Sequence, residues 1–120
     1  WCTATNCKNY GTIEATATNY AGNVAGMFGL VGDKASINIS GGGNYGTVKV
    51  SPSSTNKRYG LIGGYLNVFE SISNVVVSGK LYVNGTQESI NASNYMNYIG
   101  EVNASHASKI TGLTYVAPTN

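Results

Sequence analysis

The side chains able to do acid–base chemistry are few. Glu14, Asp33, Glu70, Glu88 and Glu101 are the only carboxylates in 120 residues, and no two recur at a regular spacing on one face. Sugar hydrolysis needs two carboxyl groups held about 5–9.5 Å apart, and this scatter offers no such pair. His106 is the sole histidine, set between Ser105 and Ala107 with Ser108 close by. A serine nucleophile needs a base that a third group orients, so the expected state of His106 is a solvent-facing loop residue. The expected catalytic set is therefore empty and the chain is read as a non-enzyme. Gly41-Gly42-Gly43 lacks the Lys-Ser/Thr that a phosphate loop requires, and it is read as a corner.

Other residues bear on modification. Cys2 and Cys7 are the only thiols. A Cys2–Cys7 disulfide would fit an oxidising compartment, and two separate thiols are equally open. Two cysteines and one distant histidine fall short of the four ligands of a structural zinc site, so neither a metal nor another cofactor is expected. Four glycosylation sequons start at Asn38, Asn84, Asn91 and Asn103. The last three fall in expected loops and are the first candidates for N-linked glycans. Asn38 comes next, at an outward strand position between Ile37 and Ile39.

The elements that must carry these residues repeat. Gly11, Gly46, Gly79 and Gly112 stand 35, 33 and 33 residues apart, and each opens a short alternating segment ending at Ala15, Val50, Val83 or Val116. Alternation of period two marks a strand with one buried face, and a fixed period of this size marks stacked supersecondary units. Stacking in register places Ile13, Val48, Leu81 and Thr114 in one inward column. Glu14, Lys49, Tyr82 and Tyr115 then form an outward column with a charge pair and an aromatic pair. An Asp at Val48 would set an unpaired carboxylate in the apolar column at a cost of several kcal/mol.

Between these strands, Phe28-Gly29-Leu30-Val31-Gly32 is matched to Tyr59-Gly60-Leu61-Ile62-Gly63, with Tyr98-Ile99-Gly100 as a shorter copy. A third element matches Ile37-Asn38-Ile39-Ser40 to Val75-Val76-Val77-Ser78 and to Ser108-Lys109-Ile110-Thr111, which makes Gly42 to Gly46 an insertion. Ser51 to Lys57, Asn67 to Ser71 and Gly85 to Tyr95 are read as loops. No amphipathic helix is expected. The fold class is all-β: a parallel β-solenoid, or β-helix, of about three and a half 33–35-residue turns, with residues 1–120 as one domain.

Gly29-Leu30-Val31-Gly32 and Gly60-Leu61-Ile62-Gly63, each Gly-Leu-hydrophobic-Gly, resemble the GLUG-motif repeats of large surface and secreted proteins of bacteria and protists. The resemblance implies a β-solenoid-like array in adhesins or fibrous proteins, with no shared catalytic site.

Composition points the same way. Charged residues make up 10% of the chain, against about 25% in ordinary soluble domains, and hydroxyl and amide side chains replace them. A net charge of +2 without a basic cluster leaves no footprint for nucleic acid. No apolar run reaches the ~20 residues of a membrane span. The chain begins at Trp1 with no leader pattern and is read as a processed chain or a piece of a longer one. An extracellular or cell-surface location follows.

The expected function is a structural subunit or segment of an extracellular filament or cell-surface adhesin, associating end to end with identical copies or flanking repeats. In that contact Leu113 to Val116 would meet Gly11 to Ala15 of the next copy. The alternatives are a carbohydrate-binding surface module using Tyr82 and Tyr115, and, third, a polysaccharide-degrading β-helix.

Overall fold

The computed structural model describes residues 2–18, 23–33, 36–52 and 57–119. The chain enters through β1 (Cys2–Thr5), β2 (Lys8–Asn9), β3 (Thr12–Thr18), β4 (Val24–Ala25) and β5 (Phe28–Asp33). It repeats the series as β6 (Ile37–Ser40), β7 (Gly43–Asn44), β8 (Thr47–Pro52), β9 (Tyr59–Gly60) and β10 (Gly63–Val68). A third pass runs through β11 (Ser71–Ser73), β12 (Val76–Val77), β13 (Lys80–Val83), β14 (Thr86–Gln87) and β15 (Glu101–Val102). The last strands are β16 (Ile110–Thr111) and β17 (Thr114–Tyr115). Short 3-10 helices cover Tyr95–Tyr98 and Ala104–Lys109.

Each pass adds one strand to each sheet in the same order. Sheet I is β1-β6-β11-β16, sheet II β2-β7-β12-β17, sheet III β3-β8-β13-β14, sheet IV β4-β9 and sheet V β5-β10-β15. All pairings are parallel except β13 with β14. The fold is therefore all-β with parallel sheets. A β-rich fold follows from the local sequence, since many of the strands are short runs of β-branched or aromatic residues and several end at Gly or Asn.

Sheet III carries the expected register. Ile13 pairs with Val48 and Val48 with Leu81, while Glu14 pairs with Lys49 and Lys49 with Tyr82. Val48, Val50 and Leu81 are buried in the core beside Val31, Ile39, Leu61, Ile62, Leu66, Phe69, Ile72, Val75, Val77 and Ile99.

Five expectations need correction. The segment Gly112 to Val116 is not a fourth copy of this strand: Thr114 pairs with Val76 and Tyr115 with Val77, in sheet II. Val75 to Val77 is not the partner of Ile37 to Ile39 either. Ile39 pairs with Ile72 and Ile72 with Ile110, while Gly43-Asn44 pairs with Val76-Val77. Gly42 to Gly46 is thus no insertion, because Thr5 to Thr12, Ser40 to Thr47 and Ser73 to Lys80 each span seven positions. The two Gly-Leu-hydrophobic-Gly stretches do not stack. Phe28 pairs with Gly63 and Leu30 with Tyr65, whereas Tyr59-Gly60 pairs with Val24-Ala25. Finally, Asn67-Val68 and Ser71 belong to β10 and β11 rather than to a loop. Part of the Ser51 to Lys57 stretch lies outside the described residues.

Two stacks of corners join the sheets. Between sheets I and II, Asn6, Gly41, Asn74 and Gly112 take φ of 55°, 74°, 58° and 67°. Their backbones are tied across the stack by Asn6 N donating to Ser40 O, Gly41 N to Ser73 O, and Asn74 N to Thr111 O. Only Gly, and next to it Asn, adopts this left-handed region at low cost. A Cβ on Gly41 would run into Asn6 Oδ1, and one on Gly112 into Asn74 Oδ1. Asparagine and glycine therefore alternate along this corner.

Candidate functional site

The second stack of corners, between sheets II and III, is built from the near-identical stretches Asn9-Tyr10-Gly11-Thr12 and Asn44-Tyr45-Gly46-Thr47. Asn9 pairs with Asn44 and Thr12 with Thr47. Asn44 is fully buried, so both ends of its amide need partners. Its Oδ1 accepts from Asn9 Nδ2 at 3.0 Å and its Nδ2 donates to Ser78 O at 3.1 Å. Asn9 Oδ1 accepts only the local bond from Gly11 N, at 3.1 Å. Tyr10 and Tyr45 stack with ring centroids 5.1 Å apart and planes 12° apart. Tyr10 remains 70% exposed.

These features lie on the rim of an open face. Strands β1 to β5 are the terminal strands of all five sheets on one side of the molecule, here called the N-terminal face. Thr47 N donates to Gly11 O. The parallel ladder between β3 and β8 then turns the N–H groups of Thr12 and Glu14 away from β8, toward that face. Ile13 is 38% exposed, although Val48 and Leu81 in its column are 0% and 1% exposed.

The opposite face is roofed over sheets III and IV, while β16, β17 and β15 are the terminal strands of sheets I, II and V there. Tyr82 pairs with Gln87 and Val83 with Thr86, so Asn84-Gly85 forms a two-residue hairpin turn with φ of 51° and 83°. Strand β14 thereby covers the edge of β13, and Glu88 N donates to Leu81 O. Over sheet IV, Leu61 N donates to Tyr98 O and Ile62 N to Ile99 O. Tyr115 Oη donates to Ile90 O at 3.0 Å and Tyr95 Oη to Leu113 O at 3.2 Å, pinning the connecting segment. Tyr59 lies under this roof in a groove lined by Lys57, Leu81, Glu88, Asn97 and Tyr98. Burial, then the charge of Glu88 and then Tyr98, push its phenol above the ordinary value.

The two strands expected to meet in an end-to-end contact do not line up. Leu113 to Val116 continues sheet II, whereas Gly11 to Ala15 belongs to sheet III, whose far edge β14 already closes.

The remaining candidates are dispersed. Glu14 faces Lys49 on sheet III, Glu101 meets Arg58 Nε at 3.4 Å, and Arg58 lies 4.1 Å over the Tyr65 ring. Asp33 closes β5, Glu70 follows β10 and Glu88 follows β14. Among the described residues no three His, Cys, Asp or Glu side chains gather as a metal site. His106 is not a solvent-facing loop residue. It sits half-buried in a 3-10 helix, its ring 5.6 Å from that of fully buried Phe69, with Ser105 Oγ 3.2 Å from Nδ1.

Tyr82 and Tyr115 are not stacked neighbours, since they lie in sheets III and II. Lys49 Nζ covers the Tyr82 ring at 5.5 Å. Tyr115 packs against Tyr95 at 5.7 Å. The aromatic pair expected in the outward column is therefore absent from it.

Cys2 and Cys7 are free and exposed. Cys2 opens the four-residue β1 and Cys7 follows the Asn6 corner.

Of the sequon asparagines, Asn84 occupies the hairpin turn and Asn91 an exposed loop. Asn103 caps the 3-10 helix while its Nδ2, the atom a glycan would use, donates to Asn67 Oδ1 at 3.0 Å. Asn38 lies within sheet I, accepting from Ser71 Oγ at 2.8 Å.

The alternation of period two does not reveal the amide ladder. Its signal was the repeated Asn just ahead of a corner. No family model, curated protein or solved structure gives a significant match to this chain.

Proposed function

We propose that the chain is a parallel β-solenoid of about three and a half turns, acting as a structural segment of an extracellular filament or cell-surface adhesin. Kinship with GLUG-motif repeat proteins belongs to the same reading. The carrying observation is the contrast between the ends: five terminal strands on one face, and on the other a hairpin and 3-10 helix laid over sheets III and IV. In a solenoid each turn buries the one beneath it, so the N-terminal face is where further coils join.

Dispersed carboxylates and a histidine engaged in packing favour a scaffold over a polysaccharide-degrading enzyme. The hydroxyl- and amide-rich surface with low charge fits an extracellular setting. Immunogold labelling of the producing cells with antibody to this chain is expected to decorate surface or secreted fibres. Label confined to the cell interior overturns the proposal.

A further inference from the structure

We infer that the N-terminal face is a docking surface for one more parallel coil carrying its own Asn-aromatic-Gly-Thr corner. This rests on the solenoid reading above and names the partner that the open end selects.

The selectivity comes from the direction of the amide ladder. Asn9 Nδ2 donates to Asn44 Oδ1, and Asn44 Nδ2 donates onward to Ser78 O. Every donor points toward the roofed face, so Asn9 Oδ1 stands ready for the amide of a preceding asparagine. Tyr10 stacks on Tyr45 with one ring face and is otherwise largely exposed, a geometry that repeats if another aromatic lies above it. The edge N–H groups of Thr12 and Glu14 fit the carbonyls of a parallel strand. Addition of a strand to such an edge uses main-chain bonds for affinity and side-chain pockets for specificity.

The roofed face of a second copy does not supply this partner. After Thr114-Tyr115 the corner position holds Val116-Ala117-Pro118, with no asparagine amide and a residue that cannot donate. The segment 36–52 of the chain itself does carry every element, and its Gly41 corner precedes Asn6 just as it precedes Asn74 in the fold.

The test uses the full chain and a fluorescent peptide of residues 36–52, read by anisotropy. The peptide is expected to bind saturably. By the ladder parity its Val48 N–H would donate to Thr12 O and its Lys49 N–H would point outward. N-methylation at Val48 should therefore weaken binding roughly tenfold or more, the worth of about 1.4 kcal/mol, while N-methylation at Lys49 leaves it unchanged. A peptide with Asn44→Leu should also bind more weakly.

Equal binding of both methylated peptides, or none of the parent peptide, overturns the inference. Hydrogen exchange on the chain alone separates the two readings. Protected amides across sheet III without peptide binding sink only the docking surface; unprotected amides there sink the solenoid as well.

Discussion

Ile13, Val48 and Leu81 occupy successive places in one column of sheet III, and the two ends of that column meet different environments. At the N-terminal face Ile13 is left partly in water, and the strand that carries it has a row of unpaired backbone groups. At the other face Leu81 is as well covered as Val48, because the chain folds back through Asn84-Gly85 and lays β14, the segment after it and Tyr98 over the stack. The same residue type at the same place in the repeat therefore differs in worth according to what lies above it. Edge strands are a hazard that proteins cover or exploit, and in sheet III the edge of β13 is covered while that of β3 is left open.

The sharpest way to break that comparison is to truncate both ends of the column. Leu81→Ala should cost about 2–5 kcal/mol, the range for a fully buried leucine. Ile13→Ala should cost under about 1 kcal/mol, since much of its side chain is already hydrated. Denaturant melts of the two variants check this, and equal losses would mean that the N-terminal face is covered in solution.

A smaller effect is expected at the roof. Gly85 holds a φ of 83° and a Cβ there would meet no atom within 4 Å. Gly85→Ala is thus a test of backbone strain without a clash, worth about 1–2 kcal/mol. Hydrogen exchange at Glu88, whose amide donates to Leu81 O, should quicken while exchange within β8 is unchanged. Quickening in both would show that the roof and the stack open as one.

The smallest effect is at high pH. The Tyr59 phenol holds its proton more tightly in the folded chain than in the unfolded one, where it titrates near 10. Below the unfolded value both states are protonated and stability is unaffected. As pH rises above it, the unfolded chain releases the proton first, so stability falls until the raised folded value is passed. Melts between pH 8 and 11 should show a shallower decline for Tyr59→Phe than for the parent chain; identical slopes would place Tyr59 outside the roof.

Much of sheet III was legible because Ile13-Glu14-Ala15, Val48-Lys49-Val50 and Leu81-Tyr82-Val83 alternate in phase and follow a glycine at a steady period. The same signal misled at Gly112, where a glycine again precedes an alternating run. That glycine is a left-handed corner between sheets I and II, and its spacing alone does not tell one corner from another. Matching the Gly-Leu-hydrophobic-Gly stretches failed for a related reason: Leu30 and Leu61 look alike in sequence, but Leu30 is exposed beside Tyr65 while Leu61 is buried. Asn84-Gly85 was noticed as a sequon, which hid its stronger meaning as a hairpin turn. The roof it begins was invisible as a helix, since Tyr95–Tyr98 and Ala104–Lys109 are too short to show a helical period.

The alternation at the corner of Asn6, Gly41, Asn74 and Gly112 has a consequence for how such a chain can lengthen. Each asparagine side chain occupies the space that a Cβ on the next glycine would need. Excising one coil between Ser36 and Glu70 would bring Asn6 directly over Asn74 and drive amide into side chain, whereas removing or adding two coils preserves the phase. At this corner each asparagine coil must be followed by a glycine coil, and that is the order any duplication has to keep.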